Sequence, residues 1–72
     1  MDVLITGVNG FIGRSISTLL INSGHRIIGL DIDGSSQIDG IYQYYSESIN
    51  NKKRLESLAS KVDVIIHLAA IT

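Results

Sequence analysis

Thr6-Gly7-Val8-Asn9-Gly10-Phe11-Ile12-Gly13 decides the reading of this chain, because its glycines stand between two segments of different periodicity. Before it, Val3-Leu4-Ile5-Thr6 is a short apolar run with β-branched content and no alternation, the pattern of a strand buried on both faces. After it, apolar residues recur at Ile12, Ile16, Leu19 and Leu20. That spacing predicts a helix over residues 11–23 packed by one face, with Gly24 as its stop. The stretch is therefore a strand that runs through a tight glycine turn directly into a helix.

Each glycine has a physical task in such a turn. Gly7 can take backbone angles that a side chain forbids, Gly10 leaves room for a pyrophosphate to approach the main chain, and Gly13 lets the helix pack close to the strand. The first N–H groups of the helix, with the positive end of its dipole, then offer an anion site made of backbone. The spacing is G-x-x-G-x-x-G, since Val8 stands where the general dinucleotide fingerprint has its second glycine. No Gly-Lys-Ser/Thr follows, which disfavours nucleoside triphosphate hydrolysis.

Working outward, residues 26–30 read as a second buried strand, and Asp31 falls where it emerges from the sheet. An acid about 20 residues beyond the glycines can accept hydrogen bonds from the adenosine ribose hydroxyls. No Arg or Lys follows it immediately, so a 2′-phosphate would meet an uncompensated carboxylate, and NAD is favoured over NADP. Asp33 is an alternative for the same role.

Residues 33–40 are rich in turn formers and read as loop, and residues 41–45 as a weak strand. Leu55, Leu58, Ala59 and Val62 restore helical periodicity behind Asn50-Asn51, which suits capping, and Lys52-Lys53-Arg54 forms a solvated outer face. Residues 63–68 then make a further buried strand. The order is β-α-β-β-α-β, an α/β chain. Right-handed crossovers give a parallel sheet in the order 3-2-1-4, the N-terminal part of a doubly wound Rossmann sheet. Residues 1–72 are expected to be one partial NAD(P)-binding domain, and the last strand an exposed apolar edge, as in a piece of a longer enzyme.

Composition narrows the partners. A formal net charge of -1 with 44% hydrophobic residues offers no basic field for nucleic acid or anionic lipid. There is no Cys, which rules out disulfides and thiolate chemistry. No apolar run approaches the roughly 18 residues of a membrane span. The N-terminus lacks a basic start of the signal-peptide kind, so a cytoplasmic location is expected.

Three segments in order, Thr-Gly-Val-Asn-Gly-Phe-Ile-Gly (6–13), Leu-Asp-Ile (30–32) and Asp-Val-Ile-Ile-His-Leu-Ala-Ala (63–70), resemble the extended short-chain dehydrogenase/reductase family. Its best-known members are nucleotide-sugar epimerases and dehydratases. The resemblance implies that Gly7, Gly10 and Gly13 form the phosphate turn, that Phe11 and Ile12 supply main-chain N–H donors, and that Asp31 holds the adenosine ribose. Where the family has Asp and an apolar residue at the adenine, this chain has Ser48-Ile49, with Glu47 adjacent. Leu68, Ala69 and Ala70 would line the cofactor beyond the last strand. His67 and His25 read as structural, and Tyr42, Tyr44 and Tyr45 as strand packing.

The family's acid/base Tyr is followed four residues later by Lys. Here Ser46, Ser48 and Ile49 stand four beyond Tyr42, Tyr44 and Tyr45, so no catalytic residue is assigned within residues 1–72 and no hydride transfer is expected of them alone. Two readings of different class follow. One is the NAD-binding segment of an epimerase or dehydratase acting on a nucleotide sugar. The other is a non-catalytic dinucleotide-binding module or inactive fragment.

Overall fold

Residues 1–69 are described by a computed structural model. Its elements are β1 (Asp2–Thr6), α1 (Phe11–Asn22), β2 (Arg26–Asp31), β3 (Gln43–Ser46), α2 (Lys52–Ala59) and β4 (Val64–His67). The strands pair in parallel in the order β3-β2-β1-β4, which is the expected 3-2-1-4 sheet. Central β1 puts alternate side chains on opposite faces. Val3 and Ile5 pack with Val8, Ile27 and Ile38 under Ile16, Leu20 and Ile21 of α1. Leu4 packs with Ile28 and Leu30 under Leu55 and Leu58 of α2. Two apolar faces on one strand thus require a helix on each side, which makes the chain doubly wound.

The buried face of α1 differs from the one its apolar residues suggest. Ile12 and Leu19 are exposed, at 59% and 67%, while Gly13 and Ser17 are buried. Gly13, Ile16, Ser17, Leu20 and Ile21 form the inner stripe because closeness of approach, rather than hydrophobicity, selects the contact line. A Cβ on Gly13 would lie 2.5 Å from the Gly7 carbonyl oxygen and 2.8 Å from Val8 Cα. Buried Ser17 remains satisfied by donating its hydroxyl to the Gly13 carbonyl at 2.7 Å. The helix ends where expected, with Gly24 at φ 91.

Val8 shows how the turn works without glycine at that position. Its side chain is fully buried and points onto Gly29 of β2, where an added Cβ would meet Val8 Cγ1 at 2.8 Å and Ile41 Cδ1 at 2.7 Å. Gly29→Ala is expected to cost about 1–3 kcal/mol by overpacking. The stiff Val8 side chain cannot yield as the tip of Ile41 can. Combined with Val8→Ala, the loss in a denaturation double-mutant cycle should fall below the sum of the single losses.

The segment read as loop contributes core. Ile38 is 7% exposed, and Ile41, expected to open the weak strand, packs against the same cluster ahead of β3, which runs from Gln43 to Ser46. Exposed Tyr42 lies outside the strand beneath the Arg26 guanidinium, 4.7 Å from its ring centroid. Strand β4 is not buried as expected: Val64 is 37% and Ile65 51% exposed, because among the described residues β4 pairs with β1 on one side only and Ile66 is its one side chain that reaches a core cluster. Helix α2 stops at Ala59, and Val62 packs into the core from beyond its end.

An exposed ion pair joins the first two strands, with Arg26 Nε and Nη2 each donating to Asp2 at 2.8 Å. The Arg26 guanidinium holds the Asp2 carboxyl below its ordinary value of 3.8. Since the folded value is depressed, the stabilisation is present above about pH 4 and is lost as pH falls through the lowered value. Asp2→Asn should flatten the acid limb of stability measured by denaturant unfolding. The change should be small for so exposed a pair.

Candidate functional site

At the C-terminal ends of β1 and β2 the chain leaves the sheet into a cavity of about 370 Å³, within the roughly 300–1,000 Å³ of small-molecule sites. The C-terminal edge of a parallel sheet is where ligands bind in doubly wound folds. Gly7, Gly10, Asp31, Ser48, Ile49, Leu68 and Ala69 all line this cavity, joined by Ile32 and Glu47. Residues from four separate sequence segments therefore meet at one place. Ala70 lies outside the described residues.

The glycine turn is tied to the sheet by the Gly7 N–H, which donates to the Leu30 carbonyl at 2.8 Å. Gly7 has φ 70, and a Cβ on it would stand 2.8 Å from the Ala69 nitrogen. Gly10 differs: its φ is -68, an ordinary value, and a Cβ there would meet only the Gly7 carbonyl oxygen at 3.4 Å. Neither backbone strain nor protein packing demands glycine at Gly10. The open space above its main chain faces the cavity that Gly10 lines.

Gly10 is also the N-cap of α1, and no side chain caps that end. The first helical bond runs from the Arg14 N–H to the Gly10 carbonyl at 2.9 Å. The N–H groups of Phe11, Ile12 and Gly13, which precede it, have no place in the helical ladder. Helix α2 shows the contrast, with the Asn51 side chain accepting from the Arg54 N–H at 3.2 Å. The Phe11 side chain points away from the cavity and is 80% exposed, so any role at the turn is that of its backbone.

Asp31 is half-buried and fixed by two main-chain donors, the Asn9 N–H at 2.9 Å and the Ile32 N–H at 2.7 Å, one to each oxygen. Each oxygen keeps acceptor capacity. No Lys or Arg lines the cavity among the described residues. Asn9 was not singled out in the sequence, yet its amide donates toward the Ser35 carbonyl at 3.0 Å, Tyr44 Oη at 3.2 Å and Asp33 Oδ2 at 3.3 Å. It stitches the glycine turn to the loop after β2 and to β3. Burial first, then the Asp31 and Asp33 charges, push the Tyr44 phenol up, so it stays protonated and donates to the Asp33 carbonyl.

At the adenine end of the expected site, Ser48 is exposed and its hydroxyl accepts from the Asn50 N–H at 3.1 Å, leaving its proton free. Ile49 packs toward the Leu58 cluster. Glu47 is engaged elsewhere, accepting from Arg54 Nε at 3.1 Å and Asn51 Nδ2 at 3.0 Å, which anchors the start of α2. Arg54 also lies over Tyr45, 5.1 Å from its ring centroid, so it is not a free outer-face charge like Lys52 and Lys53.

A strand-turn-helix with this glycine spacing, an acid ending β2 and a cavity at the carboxyl edge define a dinucleotide-binding class of fold. The sequence profile of the NAD dependent epimerase/dehydratase family matches residues 3–72, and the chain belongs to that family. It is 32% identical over 74 residues to dTDP-6-deoxy-L-talose 4-dehydrogenase (NAD(+)) of Aggregatibacter actinomycetemcomitans, covering 96% of this chain and 27% of that protein. Among solved structures, UDP-glucose 4-epimerase of Thermotoga maritima with UDP-glucose superposes with TM-score 0.78 at 31% identity, over 97% of this chain and 24% of that one. The Bordetella bronchiseptica enzyme WbmH in complex with NAD+ gives TM-score 0.81 at 26% identity, over 99% and 26%. The chain thus spans about a quarter of the length of these relatives. No helix among the described residues is long and apolar enough to cross a membrane.

Proposed function

We propose that this chain holds the adenosine and pyrophosphate end of NAD, and that the protein carrying it is an epimerase, dehydratase or related oxidoreductase acting on a nucleotide sugar. The observation that carries the reading is the gathering of Gly7, Gly10, Asp31, Ser48, Ile49, Leu68 and Ala69 around one cavity beside the uncapped start of α1. The turn fits a diphosphate in particular: the main chain at Gly10 is open, and the N–H groups of Phe11, Ile12 and Gly13 precede the first helical bond at an end without a side-chain cap. Asp31 would accept from the ribose hydroxyls, Ser48 would meet the adenine edge and Ile49 its face. Bound NAD supplies a hydride acceptor and, once reduced, a hydride donor. The substrate class is supported by the relatives, whose names specify dTDP- and UDP-linked sugars.

NAD is preferred because a 2′-phosphate would bring charge against Asp31, with no Lys or Arg among the described residues lining the cavity to offset it. Calorimetric titration of the intact protein should show NAD binding at least about tenfold more tightly than NADP, the effect of roughly 1.4 kcal/mol. Asp31→Ala should weaken NAD and narrow that gap. Equal affinity for the two cofactors in the wild type would refute the ribose role of Asp31.

A further inference from the structure

We infer that His67 is a positioning residue for the cavity, held as the neutral tautomer with its proton on Nε2, and that it acts through the Thr6 hydroxyl. This rests on the reading of the cavity as a dinucleotide site. Thr6 ends β1 directly beneath the glycine turn and is 1% exposed, and the parallel register sets it beside His67. Its Oγ1 has three polar neighbours: His67 Nδ1 at 2.7 Å, the Leu68 N–H at 3.2 Å and the Ala69 N–H at 3.4 Å. The two backbone groups can only donate. The Leu68 N–H is shared with the Thr6 carbonyl at 3.1 Å, whereas Ala69 finds its acceptor in the hydroxyl.

The direction of the remaining bond follows from counting protons. A hydroxyl has one proton and two acceptor positions. With the N–H groups of Leu68 and Ala69 occupying the acceptor positions, the buried proton of Thr6 needs an acceptor, and His67 Nδ1 is its neighbour. If Nδ1 carried a proton, the oxygen would face three donors while its own proton stood buried without a partner, a costly arrangement. The Thr6–His67 bond therefore requires an unprotonated Nδ1, and neutral imidazole then carries its proton on Nε2.

The consequence reaches the cavity through the backbone. Leu68 and Ala69 line it opposite Gly7, and a Cβ on Gly7 would stand 2.8 Å from the Ala69 nitrogen and 3.0 Å from the Leu68 carbonyl carbon. The Leu68–Ala69 peptide is therefore pressed against the glycine turn with no slack. The oriented Thr6 hydroxyl is the side-chain group that receives it. By accepting the hydroxyl proton, His67 leaves the oxygen lone pairs turned toward Leu68 and Ala69, which fixes the wall that a diphosphate at Gly7 and Gly10 would meet.

The test uses the intact protein and two substitutions at exposed His67. His67→Ala removes the acceptor, and His67→Asn restores one, since its amide oxygen occupies the place of Nδ1. Imidazole 15N NMR should show Nδ1 unprotonated and Nε2 protonated in neutral wild type. Amide exchange at Leu68 and Ala69 should quicken about tenfold in His67→Ala, the size of one lost net hydrogen bond, and return in His67→Asn. NAD affinity should fall by a similar factor and recover likewise. A protonated Nδ1 in neutral wild type, or unchanged exchange in His67→Ala, would overturn the inference. If wild type failed to bind NAD, the proposed function would fall, while the NMR and exchange results would still decide the role of His67.

Discussion

Replacing Gly13 by alanine is expected to abolish stable folding or lower stability by about 3 kcal/mol or more, beyond the usual 1–3 kcal/mol of overpacking. The added methyl would lie 2.5 Å from the Gly7 carbonyl oxygen, 2.7 Å from the Val8 carbonyl oxygen and 2.8 Å from Val8 Cα. All three are backbone atoms of the turn. That turn cannot retreat, because Gly7 is bonded to Leu30 of β2 and Val8 is fully buried against Gly29. The remaining response is for α1 to lift from the sheet, which would expose Ile16, Leu20 and Ile21 together. Urea unfolding followed by circular dichroism should report the loss. A variant within about 1 kcal/mol of wild type would show that the helix does not pack by contact at Gly13.

The same substitution three residues earlier should have the opposite character. Gly10→Ala places its methyl 3.4 Å from its nearest protein atom, an ordinary contact, and the φ of -68 suits alanine. Alanine is a poorer N-cap than glycine, so a loss of up to about 1 kcal/mol in the unfolding midpoint is expected. Dinucleotide affinity should instead fall about 100-fold. The methyl would occupy the space through which a pyrophosphate reaches the N–H groups of Phe11 and Ile12, and hydrogen bonds to charged groups contribute about 1.5–3 kcal/mol each. Two glycines of one motif thus serve different ends, one the packing of the protein and the other the approach of a ligand.

Much of this was legible from the chain because the signals were local. The apolar runs at β1, β2 and β4, the helical periodicity between them and the right-handedness of parallel crossovers were sufficient to order the sheet as 3-2-1-4. The acid at Asp31 could be placed at the same edge because β2 emerges beside the turn. What escaped depends on size and on distant partners. The inner stripe of α1 was read through Ile12 and Leu19, but close packing selects Gly13 and Ser17, and hydrophobic periodicity does not register small residues. Ile38 sits in a segment of turn formers yet fills the core beside Val8, a contact between residues far apart in the chain. The amide of Asn9 and the Thr6–His67 bond join groups more than twenty residues apart in sequence, so no spacing rule reveals them.

The most direct test of the central claim is a calorimetric titration of NAD into the intact wild-type protein and its Gly10→Ala variant, with the unfolding midpoint of each measured in the same buffer. Saturable NAD binding in the wild type, weakened about 100-fold in a variant that remains folded, is the predicted result. Equal NAD affinity in the two folded proteins, or no binding to the wild type, would contradict the assignment of the glycine turn to the diphosphate of a dinucleotide.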